Sequence, residues 1–255
     1  CWSDWSSDVC SSDLIICTFD TLNIVLFERV TPGNSLRPLR ALISPAAFTF
    51  MFIIVNKLTD IKRQVIAASF ICGIALSWSN DFGYPTAMIS GLLYIFCLKR
   101  QNSLNIKTFL CFGSMCVIWY VLLSAAMTFG HVISMINYNI DIASDQGWYF
   151  GPWSDYNHVF SFPELINNFL MPAIGWKLFA LPFCVVLYLK SKNIKHIFQL
   201  SIGISLLLGA IISAVGGHID YEYANAYNFW CYCLCVIYVL NLCIHVLNLR
   251  NRFPL

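Results

Sequence analysis

Long apolar runs separated by short polar turns make up most of this chain. Several runs approach the roughly 20 residues that a helix needs to cross the hydrocarbon core of a bilayer. Because backbone groups in lipid must be hydrogen-bonded within each segment, the pattern predicts an all-α, polytopic transmembrane helix bundle with about six to seven spanning helices. The predicted spans cover approximately 41–56, 64–79, 82–98, 108–130, 170–189, 197–215 and 228–248.

The composition agrees with this pattern. The chain has 255 residues, of which 58% are hydrophobic and 11% are charged, and its mean hydropathy is +0.68. A soluble domain usually has about 25% charged residues, so a soluble globular class is excluded. Membrane lipids are the expected surroundings, and nucleic acid is not an expected partner.

The first residues depart from the pattern. Residues 4–14 read Asp-Trp-Ser-Ser-Asp-Val-Cys-Ser-Ser-Asp-Leu and resemble the in-frame translation of a common short-read sequencing adapter. Such segments are set aside in fold reasoning. We therefore expect residues 1–14 to be an artefact and residues 15–255 to form a single transmembrane helical domain that lacks its natural N-terminus. Without the three aspartates of the adapter-like segment, the formal net charge rises from +2 to +5.

Basic residues alternate between the two sides of the predicted bundle. None occurs among the 69 positions between Lys107 and Lys177, and the loops after the second, fourth and sixth spans contain none either. The loops after the other spans contain eleven of the fifteen lysines and arginines. Because lysine and arginine concentrate on the cytoplasmic side, the pattern predicts a cytoplasmic C-terminus and a long outer loop at 131–169, between the fourth and fifth spans.

Asp81 is the sharpest single candidate for a catalytic residue. It ends a predicted span on the outer side, within Trp78-Ser79-Asn80-Asp81-Phe82-Gly83. Ionisable residues near membrane depth are costly and tend to be functional. A partly desolvated carboxylate at this position could act as a general base. The alternative is that the polar residues before Gly83 only cap helices around a Gly-Pro turn.

The long outer loop is the second candidate. Asp145, Trp148, Trp153 and Asp155 combine carboxylates with aromatic faces, a combination that suits the hydroxyl edges and C–H faces of a sugar. The aromatic residues also suit an interfacial belt, and the end of the loop could form an amphipathic helix on the membrane. A loop of about 39 residues is long for a plain connection, which favours a ligand-binding role.

The outer loop after the sixth span is the third candidate. His218 and Asp220 could bind substrate or form a proton relay, or a metal site that would need further ligands from other loops. The alternative is a hydrated loop with interfacial tyrosines. No metal and no cofactor are expected. Cys231, Cys233 and Cys235 alternate along one helix and therefore point to different faces, and the chain has no phosphate-binding loop or dinucleotide fingerprint.

Arginines precede the first span, on the side where the alternation predicts none. Arg37 and Arg40 lie next to its outer end, and Arg29 lies further upstream. Residues 15–40 could fold differently from a plain connection. Alternatively, arginines at a membrane surface can hold a phosphate group in bidentate geometry.

This layout resembles that of bacterial polytopic enzymes of cell-envelope polysaccharide biosynthesis, namely multi-pass glycosyltransferases that use lipid-linked sugars and O-antigen polymerases and ligases. The resemblance covers about 41–250, and the stretch 217–223 is similar to a late outer loop of such enzymes. It implies that Asp81 acts as base and that Arg37 and Arg40 bind the lipid phosphate. It also implies a location in the bacterial cytoplasmic (inner) membrane.

The leading interpretation is therefore a cell-envelope glycan enzyme that transfers sugar from a lipid-linked donor of the polyprenyl phosphate type at the outer face of the membrane. The rival interpretation is a transporter or flippase, which should place polar groups and broken helices near the middle of the bilayer. The predicted spans contain few such groups, which favours chemistry at a surface. A third interpretation is a non-catalytic membrane assembly subunit.

Overall fold

The computed structural model describes residues 37–137, 163, 165–215 and 222–252. These residues are almost entirely helical and contain no strand, so the prediction of an all-α bundle is confirmed. The adapter-like segment lies outside the described residues. The helices are α1 Arg37–Lys57, α2 Ile61–Trp78, α3 Gly83–Arg100, α4 Ile106–Met127, α5 Ala180–Ser191, α6 Ile194–Val215 and α7 Glu222–Arg252.

Irregular helix precedes α5. Leu165–Ile174 is a π-helix and Gly175–Phe179 is a 3₁₀-helix, and both continue directly into α5. We refer to residues 165–191 as the broken span. The predicted outer loop at 131–169 is helical at both of its ends, at 132–137 and from 165 onwards. Residues 138–162 lie outside the described part.

Within the described residues, six helices are long and apolar enough to cross a membrane. They are Arg40–Lys57, Ile61–Trp78, Ile106–Met127, Phe169–Ser191, Ile194–Ala214 and Ala224–Ile244. The helix α3 has the same 18-residue length as α2, but its polar first turn and its terminal Lys99 and Arg100 lower its apolar character. It is nevertheless packed within the bundle, between α2, α1 and α6.

Consecutive helices run in opposite directions. Arg40 near the start of α1 meets Asp81 before α3 and Ser213 near the end of α6, so these termini share what we call the Asp81 end. The other end, which we call the Lys57 end, holds the end of α1 and the start of α6, where Phe52 and Phe198 stack edge to face with ring centroids 5.2 Å apart. Basic residues close the last turns of α1, α3 and α5 at that end.

The turns at the Lys57 end are short and locally capped. Asp60 accepts a hydrogen bond from the Lys62 backbone nitrogen at 3.0 Å and starts α2, and Asn105 accepts one from Thr108 at 2.8 Å and starts α4. Lys192 ends α5 with φ of 53°, the left-handed conformation that often closes a helix. Capping of this kind satisfies backbone donors and carbonyls that a helix leaves free at its ends.

The helix α6 is the central element, because it packs against four other helices, α1, α3, α5 and α7. At two glycines of α6, an aromatic ring of a neighbouring segment packs directly against the helix backbone. A Cβ at Gly203 would overlap the Trp230 ring of α7, and a Cβ at Gly209 would overlap the Phe82 ring. Without such small residues, the helices could not approach this closely.

The buried apolar residues form two clusters, one near each end of the bundle. The cluster at the Asp81 end includes Phe82, Ala210 and Tyr227, and the cluster at the Lys57 end includes Met51 and Tyr94. Buried hydroxyl groups lie between the two clusters, as described below. The helix α4 packs mainly on α2, and Phe112 and Ser124 are its buried residues, so most of its surface faces outward as expected in lipid.

Candidate functional site

Asp81 lies in the tight turn between α2 and α3. Ser79, in an extended conformation, ends α2, and its hydroxyl accepts a hydrogen bond from the Gly83 backbone nitrogen at 3.1 Å. A Cβ at Gly83 would overlap the Ala75 carbonyl oxygen, so the turn requires glycine here. Ser79 therefore caps this turn, and Asp81 Oδ1 also accepts a local backbone hydrogen bond, whereas Asp81 Oδ2 binds across the bundle.

The Asp81 carboxylate joins three separate parts of the chain. Its Oδ2 accepts from Arg40 Nη1 at 3.3 Å and from the Ser213 hydroxyl at 3.2 Å, while its Oδ1 accepts from the Phe82 backbone nitrogen at 2.9 Å. The structure thus brings together two predicted site residues that lie 41 positions apart. It adds Ser213, which the sequence did not suggest. We call Arg40, Asp81 and Ser213 the Asp81 site.

The two charges of this site differ in their exposure. The Asp81 side chain is 14% exposed, whereas that of Arg40 is 46% exposed. An ion pair that is open to water on one side typically contributes less than about 1 kcal/mol to stability. A single contact at 3.3 Å is also far from the bidentate geometry that makes such pairs strong. The guanidinium can therefore exchange the carboxylate for another anion at little cost.

Three hydroxyl groups from three helices lie further into the bundle. Ser44 and Thr86 are 2.6 Å apart, Thr86 and Ser205 are 2.8 Å apart, Ser44 and Ser205 are 3.0 Å apart, and all three are fully buried. Thr86 also donates to the Phe82 carbonyl at 2.7 Å, so the hydrogens of the two serines can make two of the three contacts at a time. We call these residues the hydroxyl triad. It ties α1, α3 and α6 together where apolar packing alone would allow sliding.

The Asp81 site and the hydroxyl triad lie on the same helix faces. Ser44 follows Arg40 by one helical turn on α1, and Ser205 precedes Ser213 by two turns on α6, which separates the layers by roughly 6–12 Å. Phe82 lies between them, with its nitrogen on the Asp81 carboxylate and its carbonyl on the triad. The buried Phe82 ring packs against Gly209, in the space that a side chain at this position would occupy. We call this ring the Phe82 plug, because it separates the Asp81 site from the hydroxyl triad.

The broken span is the second irregular feature at the Asp81 end. Pro172 lies inside the π-helix, and Gly175, which directly follows the π-helix, has φ of +53°, a conformation that glycine adopts readily. Side chains of α7 form hydrogen bonds with backbone carbonyls of the broken span. Asn228 donates to the Ala173 carbonyl at 3.1 Å, and Tyr227 donates to the Lys177 carbonyl at 3.0 Å. Irregular backbone at membrane depth is tolerated only where protein or a polar cavity satisfies it, which α7 does here.

Lys177 places a cation inside this break. It is the ninth residue of the candidate span Phe169–Ser191, and its ammonium lies 5.2 Å from the centre of the Tyr232 ring and 6.0 Å from that of Trp176. A lysine costs about 2.5–3.5 kcal/mol at the centre of a spanning helix and less towards its ends, whereas a cation–π contact contributes about 0.5–2 kcal/mol. The rings therefore offset part of the cost of keeping the ammonium within the span.

Asn228 has an unsatisfied amide oxygen in the described part of the chain. The residue is 8% exposed, and its Oδ1 has no hydrogen-bond partner there, although its nitrogen holds the Ala173 carbonyl. An unsatisfied buried acceptor of this kind calls for a water or ligand donor. Asn228 lies one helical turn from Tyr232, so it shares the α7 face that meets the broken span.

Several predicted site residues lie where the structure gives no side-chain description. Arg37 is the first residue of α1, but its side chain is not among the described ones. The loop candidates also lie outside the described residues, so their roles stay predictions. They are Asp145, Trp148, Trp153, Asp155, His218 and Asp220.

The described residues contain no group of three or more His, Cys, Asp or Glu side chains that could hold a metal ion. His196, whose sequence position indicated a structural role, lies 3.0 Å from the Tyr238 hydroxyl and 3.1 Å from the Gln199 amide oxygen, in both cases through Nδ1. Tyr238 also donates to Gln199 at 3.0 Å. This triangle joins α6 to α7 near the Lys57 end and has no charged partner among the described groups.

The fold and the composition together define a multi-pass membrane protein. No protein-family model matches the chain, and searches of curated proteins and of solved structures found no match.

Sequence reasoning missed three features, namely Ser213, the hydroxyl triad and the broken span. Ser213 and the hydroxyl triad occur within apolar runs, where serine and threonine usually bond to their own helix, so nothing in the pattern selected them. The break in the fifth span had a visible signal in Pro172 and Gly175, since proline and glycine interrupt helices. Lys177, which the sequence placed near the start of that span, lies at the break itself.

Proposed function

We propose that this protein transfers sugar from a lipid-linked donor, with the Asp81 site as its reaction centre. The observation that carries the proposal is the pairing of a nearly buried carboxylate with a half-exposed arginine at one end of a membrane bundle. A carboxylate is a suitable general base for a hydroxyl nucleophile, and a guanidinium is a suitable partner for a phosphate leaving group. Both groups are present, and they already lie within reach of each other.

The ion pair suggests how the two groups divide the work. When the donor's diphosphate binds, its charge competes with Asp81 for the Arg40 guanidinium, and the carboxylate is released from its cation. Ser213 and the Phe82 nitrogen continue to orient the carboxylate. The diphosphate thereby prepares the base for the acceptor, which links binding of the donor to readiness for the reaction.

The proposed reaction is a displacement at the sugar's anomeric carbon. An acceptor hydroxyl oxygen attacks this carbon, and its proton moves to the Asp81 carboxylate. The bond between the anomeric carbon and the phosphate oxygen breaks, and the electron pair leaves with the lipid diphosphate, whose negative charge Arg40 stabilises. Asp81 then returns its proton to water at the membrane surface.

The charge pattern supports a location for this site. Basic residues close the helices at the Lys57 end, as expected for a cytoplasmic side, so the Asp81 end would face away from the cytoplasm. Lipid-linked sugars are used at that face in the bacterial enzymes of envelope polysaccharide assembly that this layout resembles. We therefore place the protein in a bacterial cytoplasmic membrane, with the C-terminus inside.

The test is transfer by the purified chain in proteoliposomes that contain a polyprenyl-diphosphate-linked sugar and a glycan acceptor. Chromatography would detect the lengthened glycan and the released polyprenyl diphosphate. Loss of a general base typically costs about 10²–10⁴-fold in rate, so Asp81→Asn should be at least about 100-fold slower. Asp60→Asn is the matched control, because Asp60 also pairs with an arginine, Arg63 at 3.6 Å, at the opposite end. Equal rates for wild type and Asp81→Asn would refute the proposal.

A transporter or flippase is the second candidate, and the broken span favours it. Discontinuous helices commonly form the binding sites of transporters, and Gly175 with its φ of +53° lies within a candidate span. The same proteoliposomes separate the two functions. Movement of a labelled lipid-linked sugar between leaflets, without release of the diphosphate, would support the transporter and contradict the transfer reaction.

A further inference from the structure

We propose that the interface between the broken span and α7 binds the phosphate group of a membrane lipid, with Lys177 as the cation that holds it. We call Lys177, Trp176, Tyr232 and Asn228 the Lys177 site. It lies between the broken span and α7, whereas the Asp81 site lies where the ends of α1 and α6 meet the turn before α3. Binding at the Lys177 site does not depend on the transfer reaction.

The charge of Lys177 is the first argument. Its ammonium lies within a candidate span and contacts the Trp176 and Tyr232 rings. The ion pairs among the described residues are Arg40 with Asp81 and Arg63 with Asp60, and neither includes this lysine. A cation at membrane depth tends to be paired and functional, so its surroundings imply an anionic ligand.

The backbone of the broken span is the second argument. Tyr227 and Cys231 of α7 both donate to the Lys177 carbonyl, at 3.0 and 3.7 Å, and Asn228 holds the Ala173 carbonyl. The break is thus fixed by side chains of the neighbouring helix, which positions Lys177 against α7. The Asn228 amide oxygen is buried in the same interface and has no partner among the described groups, so it can accept a hydrogen bond from a ligand hydroxyl.

The surface around Lys177 favours a lipid as the source of the phosphate. Trp176 is 61% exposed, and the neighbouring Met171 and Phe179 are 58% and 72% exposed. These side chains belong to a candidate span, so we expect their exposed surfaces to face the bilayer rather than water. A ligand that reaches Lys177 past them needs an apolar tail beside its phosphate. A lipid phosphomonoester has both the phosphate and the apolar tail, whereas free phosphate has only the charge.

Lys192 provides a matched control within the chain. Its ammonium also lies over an aromatic ring, 5.9 Å from the centre of Tyr188, but it sits in the turn that ends α5. Lys177→Gln removes the cation inside the span, and Lys192→Gln removes a similar one outside it. Lys177→Arg keeps the charge and distinguishes loss of charge from loss of folding.

The experiment measures binding of short-chain phosphatidic acid to the purified full chain in neutral detergent by native mass spectrometry. Phosphatidylcholine with the same chains serves as the lipid without a phosphomonoester. We expect Lys177→Gln to weaken phosphatidic acid binding by at least about tenfold, since hydrogen bonds to charged groups are worth that much. Lys177→Arg should retain most of the affinity, and Lys192→Gln should match wild type.

Three results would overturn the proposal. Equal binding by wild type and Lys177→Gln would remove Lys177 as the cation, and equal losses from Lys177→Gln and Lys192→Gln would show a nonspecific charge effect. Displacement of phosphatidic acid by millimolar inorganic phosphate would show that free phosphate is the ligand, whereas retention would support a lipid phosphate. Because no acceptor is present, the outcome does not depend on whether the protein transfers sugar.

Discussion

Arg40 and Asp81 lie 41 residues apart in the chain and meet at 3.3 Å, where the first helix begins and the second has just ended. The contact is a single one, and the arginine is nearly half exposed. We therefore expect this ion pair to contribute little to holding the bundle together. The stability of the protein should depend on other contacts, which can be tested separately.

We expect the Arg40–Asp81 pair to contribute little to folding. A double-mutant cycle with Arg40→Gln and Asp81→Asn should give a coupling energy below about 1 kcal/mol, because the arginine of the pair is nearly half exposed to water. Thermal unfolding in detergent, followed by tryptophan fluorescence, would measure it. The Asp60–Arg63 pair is the control and should give a similarly small value. A coupling energy above about 3 kcal/mol would instead mark the pair as a buried structural bridge.

The hydroxyl triad should matter more for stability. Ser44→Ala removes a hydroxyl that bonds to two other helices, so we expect a loss of about 1 kcal/mol, within the range measured for interhelical hydrogen bonds in membranes. Ser201→Ala is the matched control, because the buried Ser201 hydroxyl donates to the Ile197 carbonyl of its own helix at 2.8 Å. The melting temperature should fall for Ser44→Ala and change little for Ser201→Ala. A larger fall for Ser201→Ala would contradict the role of the triad.

The notch at Gly209 should not accept a methyl group. A Cβ there would overlap the Phe82 ring, and overpacking of this kind costs about 1–3 kcal/mol. Gly209→Ala should therefore lower the melting temperature by several degrees. Gly113→Ala in α4 is the control, since a Cβ at Gly113 meets nothing within 4 Å. If Gly209→Ala were as stable as Gly113→Ala, Phe82 would not be a fixed plug between the Asp81 site and the triad.

The orientation of the bundle can be measured with reporter fusions. A fluorescent protein fused after the C-terminus should be fluorescent and a periplasmic phosphatase fused there inactive, because the basic turns predict a cytoplasmic C-terminus. An insertion of the phosphatase after Gly130, at the Asp81 end, should give the opposite result. An active phosphatase at the C-terminus would place the Asp81 site in the cytoplasm and remove the outer-face location.

The sequence predicted the helices well because lipid allows few alternatives to a helix. A long apolar run in a membrane therefore indicates a spanning helix. It also selected Asp81, since an acid at the end of an apolar run is conspicuous. It could not show that Arg40 lies beside Asp81, because that contact depends on how α1 packs against α2 and α3. The triad is invisible for the same reason: a serine such as Ser44 reads as an ordinary small residue until the faces of three helices are known.

The broken span shows a different limit of sequence reasoning. Pro172 and Gly175 indicate an interruption, but they do not determine that ten residues form a π-helix followed by a 3₁₀ turn. That geometry depends on Tyr227 and Asn228 of α7, which take up the carbonyls of the broken segment. The backbone conformation of the broken span therefore depends on hydrogen-bond partners about 50 residues away along the chain.

The most direct measurement is the steady-state kinetics of transfer for Arg40→Gln and Asp81→Asn beside wild type. If Arg40 holds the diphosphate and Asp81 takes the proton, substitution of the two partners must change different kinetic constants. Arg40→Gln should raise KM for the lipid-linked donor by about tenfold or more, while Asp81→Asn should lower kcat by about 100-fold with KM little changed. Identical effects of the two variants on kcat and KM, or no effect of either, would contradict the proposed division of roles.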